Sequence, residues 1–226
     1  MWEQVHLGET AGIWTVCAGE PPSGDISPFA KELHIRWEAG QNAPAQRRIE
    51  DSRSCQRLGA TPHSFSVSDC IYRRDPQTDD YLYASEAALT GPLHPGDSLV
   101  MGNVQEQIKL SLPNQAILVC PLGLGNHVDH QLTRRVAEGM GHPLWYYADY
   151  PYVLRCTPQL AQMEQDGWIS QLFPISADGL AAWMDAISAH GSQISTFWAN
   201  DRDMRQAIMD YLSANGGIRL WKKPAA

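Results

Sequence analysis

Gln115-Ala-Ile-Leu-Val-Cys-Pro-Leu-Gly-Leu-Gly-Asn-His-Val-Asp-His130 passes from an apolar run through glycines into a cluster of ionisable side chains. Residues 116–120 (Ala116, Ile117, Leu118, Val119, Cys120) have the length and β-branched content of a buried strand. Pro121, Gly123 and Gly125 break that pattern and let the backbone turn sharply. His127, Asp129 and His130 follow, then a helix-like run from Gln131 to Met140 that Gly141 ends. A strand, a glycine turn and polar side chains at the mouth of a helix is the layout of a site at the carboxyl edge of a parallel sheet. The residue types suit a metal ligand with acid–base groups. They also suit a plain helix start, with Asn126 or Asp129 as the cap, and spacing alone does not choose.

Composition narrows the setting. A chain of 226 residues fits one α/β domain with a large core. Its 43% hydrophobic and 19% charged content is that of a globular protein. The formal charge of −8, with no Lys/Arg block, argues against nucleic acid and anionic membranes as partners. No apolar run approaches a membrane span. The five cysteines (Cys17, Cys55, Cys70, Cys120, Cys156) are odd in number, far apart and without a CxxC pair. They read as buried thiols in a reducing cytoplasm.

Outward from the glycine turn, strands and helices alternate. Met1 to Glu9 reads as the tail of a helix, and Gly12 to Gly19 as an apolar strand that wants neighbours on both edges. A strand ahead of it is therefore expected. Ser27-Pro28 opens a helix running to about Glu38, and Pro44 another, Ala45 to Leu58, closed by Gly59. Arg47, Arg48, Glu50 and Asp51 read as a solvated charged face of that helix. Residues 63–67 form a short strand, followed by a polar loop from Arg73 to Asp80. Leu99 to Leu110 is helical. Beyond the central helix come a strand at His142–Tyr147, an aromatic loop at Ala148–Tyr152, and a strand within Gly167–Ile175. Helices at Ala177–Ala189 and Asp203–Leu212 precede the last patterned stretch, Ile218–Trp221. This βαβα order predicts a mostly parallel sheet covered on both faces.

Several of these segments together resemble the PIG-L (LmbE-like) zinc-dependent N-deacetylases. They are Thr15-Val-Cys-Ala-Gly-Glu20, Arg47-Arg-Ile-Glu50 with Leu58-Gly59-Ala60, and His127-Val-Asp-His130. Tyr147-Ala-Asp-Tyr-Pro-Tyr152, Ser192-Gln193 and Gly216-Gly-Ile-Arg-Leu-Trp221 continue the likeness, which runs from about residue 11 to the C-terminus. The resemblance implies a single Rossmann-like three-layer α/β domain over 1–226. It implies hydrolysis of the N-acetyl group of an N-acetylglucosamine-type conjugate, with zinc as the metal. By resemblance His130 is the metal-binding second His of an HxDH motif, and His127 is the first His, which polarises the carbonyl or stabilises the tetrahedral intermediate. Asp129 orients the imidazoles, and Arg47 is the RxxE arginine that contacts substrate. Tyr147 and Tyr150 shape the sugar pocket, and a homo-oligomer is left open.

The sequence departs from that pattern at its start. The family's HxDD motif, which supplies two metal ligands and the general base, belongs upstream of the Gly12–Glu20 strand, and His6-Leu-Gly-Glu9 has the wrong order. A catalytic zinc needs three protein ligands and an open position, so His130 alone cannot hold it. Two expectations follow. Either the first strand and the HxDD loop lie ahead of Met1, or the chain is an inactive remnant that binds a sugar, a nucleotide or a partner protein. No GxSxG occurs, which argues against a serine hydrolase.

Overall fold

The structure, a computed structural model, describes residues 1–37 and 43–224. In chain order its elements begin with α1 (Trp2–His6), β1 (Gly12–Thr15), α2 (Pro28–Arg36), α3 (Ala43–Leu58) and β2 (Thr61–Ser64). Then come α4 (Glu86–Leu89), α5 (Ser98–Ser111), β3 (Leu118–Pro121), α6 (Val128–Glu138) and β4 (Leu144–Tyr147). Last are α7 (Thr157–Gln165), β5 (Ile169–Phe173), α8 (Ala177–Ser188), α9 (Gly191–Phe197), α10 (Asp201–Asn215) and β6 (Ile218–Lys222). The Glu38 end expected for α2 lies outside the described residues. The chain divides into two compact units, Met1–Ser68 with Pro174–Ile218, and Asp69–Phe173 with Arg219 onward.

In the first unit, β1 and β2 pair in parallel from Gly12 opposite Thr61 to Thr15 opposite Ser64. Beyond Thr15 the expected strand continues only as single bridges at Cys17 and Gly19. Gly19 presses so closely on the partner segment that a Cβ would meet the Ser66 carbonyl oxygen at 2.3 Å. Only glycine fits that approach. The α2 start is built as read: the Ser27 Oγ accepts from the Ala30 N–H at 2.9 Å, with Pro28 in the first turn. Helix α10 buries Met204, Ile208 and Leu212 at i, i+4, i+8. The charged face of α3 departs from its solvated reading, because Glu50 is 5% exposed. Its carboxylate accepts from the Ser192 N–H at 3.0 Å and the Ser192 Oγ at 2.6 Å, at the start of α9. A carboxylate with two such donors can be buried where an unpaired one cannot.

In the second unit the sheet order is β3-β4-β6-β5. The mostly parallel expectation holds at β3/β4 and fails at β4/β6, where Tyr146 faces Trp221 and Tyr147 faces Leu220 in an antiparallel pair. The expectation of a buried strand at residues 116–120 is corrected as well. β3 is an edge strand of this sheet, and Ile117 and Val119 are 64% and 48% exposed, whereas Cys120 is buried. Helix α6 packs on β3 and buries its own Val128, Leu132 and Val136, while Val119 of β3 reaches solvent. Among the described residues, β1 and β3 each have one edge without a strand partner. No helix of the described residues is long and apolar enough to cross a membrane.

Candidate active site

The glycine turn delivers β3 into α6. Gly125 has φ +79°, and a Cβ there would stand 2.6 Å from the Tyr152 ring, so both backbone and neighbour demand glycine. His127, rather than Asn126 or Asp129, is the cap of α6, and its Nδ1 accepts from the Asp129 N–H at 3.3 Å. A backbone N–H can only donate, so the neutral His127 ring carries its proton on Nε2. Burial pushes its pKa below the ordinary 6.5, against the opposing pull of Asp129.

One turn further, the His130 Nδ1 lies 2.6 Å from Oδ1 of Asp149. The Asp149 side chain is fully buried, and its Oδ2 accepts from the Leu124 N–H at 2.9 Å. An ionised carboxylate only accepts, so the His130 Nδ1 donates and its Nε2 keeps the lone pair. A carboxylate behind a ligating imidazole fixes its tautomer and raises its basicity, and the His130 side chain remains 34% exposed. The Tyr152 ring stands edge-on to His130 at 5.7 Å, and the two histidine rings are 5.5 Å apart.

Asp129 does not take the imidazole-orienting place expected for it. Among the described residues its carboxylate accepts from Arg73 Nη1 at 2.6 Å and from the Cys70 N–H at 3.3 Å, and from neither ring. Arg73 is 5% exposed and also meets the fully buried Asp97 at 2.9 Å. The Tyr83 hydroxyl donates to Asp97 at 2.6 Å, and the guanidinium lies 5.2 Å from the centre of the Tyr83 ring.

Two donor sets can be tested against zinc. Cys70, His127 and Asp129 each bring a ligand atom within 4.8 Å of the others. That set fits only in part. The Nδ1 of His127 accepts from the Asp129 N–H, and each oxygen of Asp129 already accepts one hydrogen bond and keeps a second lone pair. Burial, then Asp129 and Asp69, raises the pKa of the Cys70 thiol in the metal-free chain, and a metal bound there would have to displace that proton. His130, backed by Asp149, does fit. A catalytic zinc needs three protein ligands, and His130 is the one whose tautomer a buried carboxylate fixes for ligation.

The sequence-predicted residues fall in different places. His127, Asp129 and His130 share one turn, and Tyr147 and Tyr150 lie in the same unit, Tyr147 41% exposed at the end of β4 and Tyr150 half-buried. Arg47 belongs to the other unit. There it stands 4.6 Å from the centre of the Trp37 ring. The Gln193 amide, with its oxygen toward Arg47, accepts from Nε at 2.7 Å and Nη2 at 3.0 Å. Sequence reasoning missed Asp149, Arg73 and Asp97. Asp149 had a signal, as the one carboxylate within the aromatic loop; Arg73 had none to set it apart from Arg74.

No protein-family model matches the chain, and no curated protein does. Solved structures do. A teicoplanin deacetylase in its zinc-inhibited form is 19% identical with a TM-score of 0.77, over 97% of this chain and 89% of that one. A deacetylase–teicoplanin complex is 20% identical at a TM-score of 0.75 over the same shares. The deacetylase of the A40926 pseudoaglycone is 22% identical at a TM-score of 0.70, over 100% of this chain and 90% of that one. At such identities the likeness establishes the fold alone: the chain shares the mixed α/β fold of these structures.

Proposed function

We propose that this chain is the body of a metal-dependent N-deacetylase, in a single Rossmann-like three-layer domain, acting on an N-acetylglucosamine-type conjugate. The observation that carries the reading is the pair of histidines held in complementary states beside each other. His130 offers a lone pair backed by Asp149, and His127 an N–H. The fold shared with deacetylases of glycopeptides supports it. In this reading His127 donates to the acetamide oxygen as negative charge develops there, while Tyr147 and Tyr150 of the same unit contact the substrate. Zinc, where a full ligand set holds it, supplies a Lewis acid and an activated water. An HxDD segment of the kind the resemblance expects would supply further ligands and the general base. The five cysteines are all free thiols, which supports a cytoplasmic setting.

The test measures zinc content and acetate release for residues 1–226 and for a form with an HxDD strand ahead of Met1. The extended form is expected to bind one zinc and release acetate, and His130→Ala to lose both. An extended form that binds no metal, or a His130→Ala variant that keeps its activity, overturns the reading. A second reading, sugar or nucleotide binding without catalysis, is favoured by the incomplete ligand set of the described residues. Calorimetry with N-acetylglucosamine derivatives in the presence of a chelator separates the two. Metal-independent binding without turnover supports the second.

A further inference from the structure

We propose that Arg73 is a positioning residue of the HxDH turn. By engaging the Asp129 carboxylate, which stands within 4.8 Å of a His127 ring nitrogen but accepts from Arg73, it leaves the Asp129 N–H and the Asp149 carboxylate to lock His127 and His130 in opposite tautomers.

Asp129 stands in the first turn of α6, where its own N–H donates to the capping His127 Nδ1. Were its carboxylate to accept from that ring instead, the proton would have to sit on Nδ1, and the cap would be lost. Both carboxylate oxygens are engaged elsewhere. Arg73 provides a charge-assisted donor at 2.6 Å, and the Cys70 N–H takes the second oxygen. Arg73 cannot easily follow Asp129 toward the rings. Its guanidinium is tied to Asp97 at 2.9 Å, and Asp97 is in turn fixed by the Tyr83 hydroxyl, whose oxygen accepts from the His94 N–H at 2.8 Å. The anchor is almost wholly buried, with Arg73 at 5% and Asp97 at 0% exposure, so water does not compete for it.

The consequence is a division of labour between two adjacent rings of the same chemistry. His127 presents an Nε2–H and His130 an Nε2 lone pair. The catalytic meaning of that division rests on the deacetylase reading; the tautomers themselves do not.

The experiment is long-range proton–nitrogen NMR of the metal-free 226-residue chain with ¹⁵N-labelled histidine, the two rings assigned by single His→Gln variants. The wild type is expected to show His127 protonated on Nε2 and His130 on Nδ1. Asp129→Asn, which keeps the backbone donor, should leave both patterns unchanged. Arg73→Gln should move the His127 proton to Nδ1 and leave His130 as it was, and Arg73→Lys should restore the wild-type pattern. A wild-type His127 protonated on Nδ1, a pattern altered by Asp129→Asn, or one unmoved by Arg73→Gln overturns the proposal. If Arg73→Gln does not fold, Arg73→Met, which also removes the donor, is read in its place with the same expected and overturning patterns. Zinc content and acetate release play no part in these spectra, so the deacetylase reading and this one can fail separately.

Discussion

At the scale of single residues, the buried carboxylate of Asp149 matters most. It serves two donors, the His130 ring and the Leu124 N–H, one on each oxygen. Asparagine has the same shape but only one acceptor oxygen, so Asp149→Asn turns an NH2 group toward one of those donors. The expected loss is about 1–3 kcal/mol of stability by denaturant unfolding. In a zinc-binding form, metal affinity should also fall by about 10–100-fold. An Asp149→Asn protein with unchanged unfolding and unchanged zinc affinity would contradict the placement of both hydrogen bonds. The sequence already held this residue inside the quoted aromatic loop. What it lacked was the distance across the turn that makes Asp149, not Asp129, the partner of His130.

At the scale of elements, the start of α6 combines two roles, capping and chemistry. His127→Asn separates them. Asparagine is among the best caps, so stability should stay within about 0.5 kcal/mol of wild type. If the ring stabilises an oxyanion, turnover in the zinc-loaded extended form should fall by about 10²–10³-fold. Equal activity in the two proteins would leave the cap as the only role of His127. The turn before it gives a second prediction. Gly125→Ala puts a Cβ at a φ of +79° and 2.6 Å from the Tyr152 ring, and should cost about 1–3 kcal/mol. It should also displace Tyr152 from its edge-on contact with His130, seen as a shift of the His130 ring resonances. The element pattern itself was largely legible. Helix starts at Ser27-Pro28, the closure of α3 near Gly59 and the apolar stripe of α10 follow from local chemistry that short peptides already express. Burial along β3 was not legible, because exposure of Val119 depends on which layers cover the sheet and not on the strand's own residues.

At the scale of the whole molecule, acid sensitivity is the testable property. His127 and His190 lie one in each unit, and burial lowers the pKa of each below 6.5, opposed by neighbouring carboxylates. A histidine depressed in the folded state takes up its proton more readily when unfolded. The stability it contributes is therefore present above pH 6.5 and is lost as pH falls toward the folded-state value. The thermal midpoint of the metal-free chain should drop between pH 7 and pH 5, and His190→Gln should flatten part of that slope. A midpoint that rises on acidification across this range would show that other groups dominate.

The order of strands and helices, the glycine turn and the membership of His127, Asp129 and His130 in one short segment are properties of the sequence. They arise from interactions between residues a few positions apart, and spacing reports those directly. Tertiary structure alone decided which carboxylate holds which imidazole, that a guanidinium from a polar loop claims Asp129, and that Glu50 is buried against Ser192 rather than solvated. Those pairings join residues 19, 56 and 142 positions apart. Nothing local distinguishes such a charge from a solvated one; its burial and its partner are set by the packing of other elements around it.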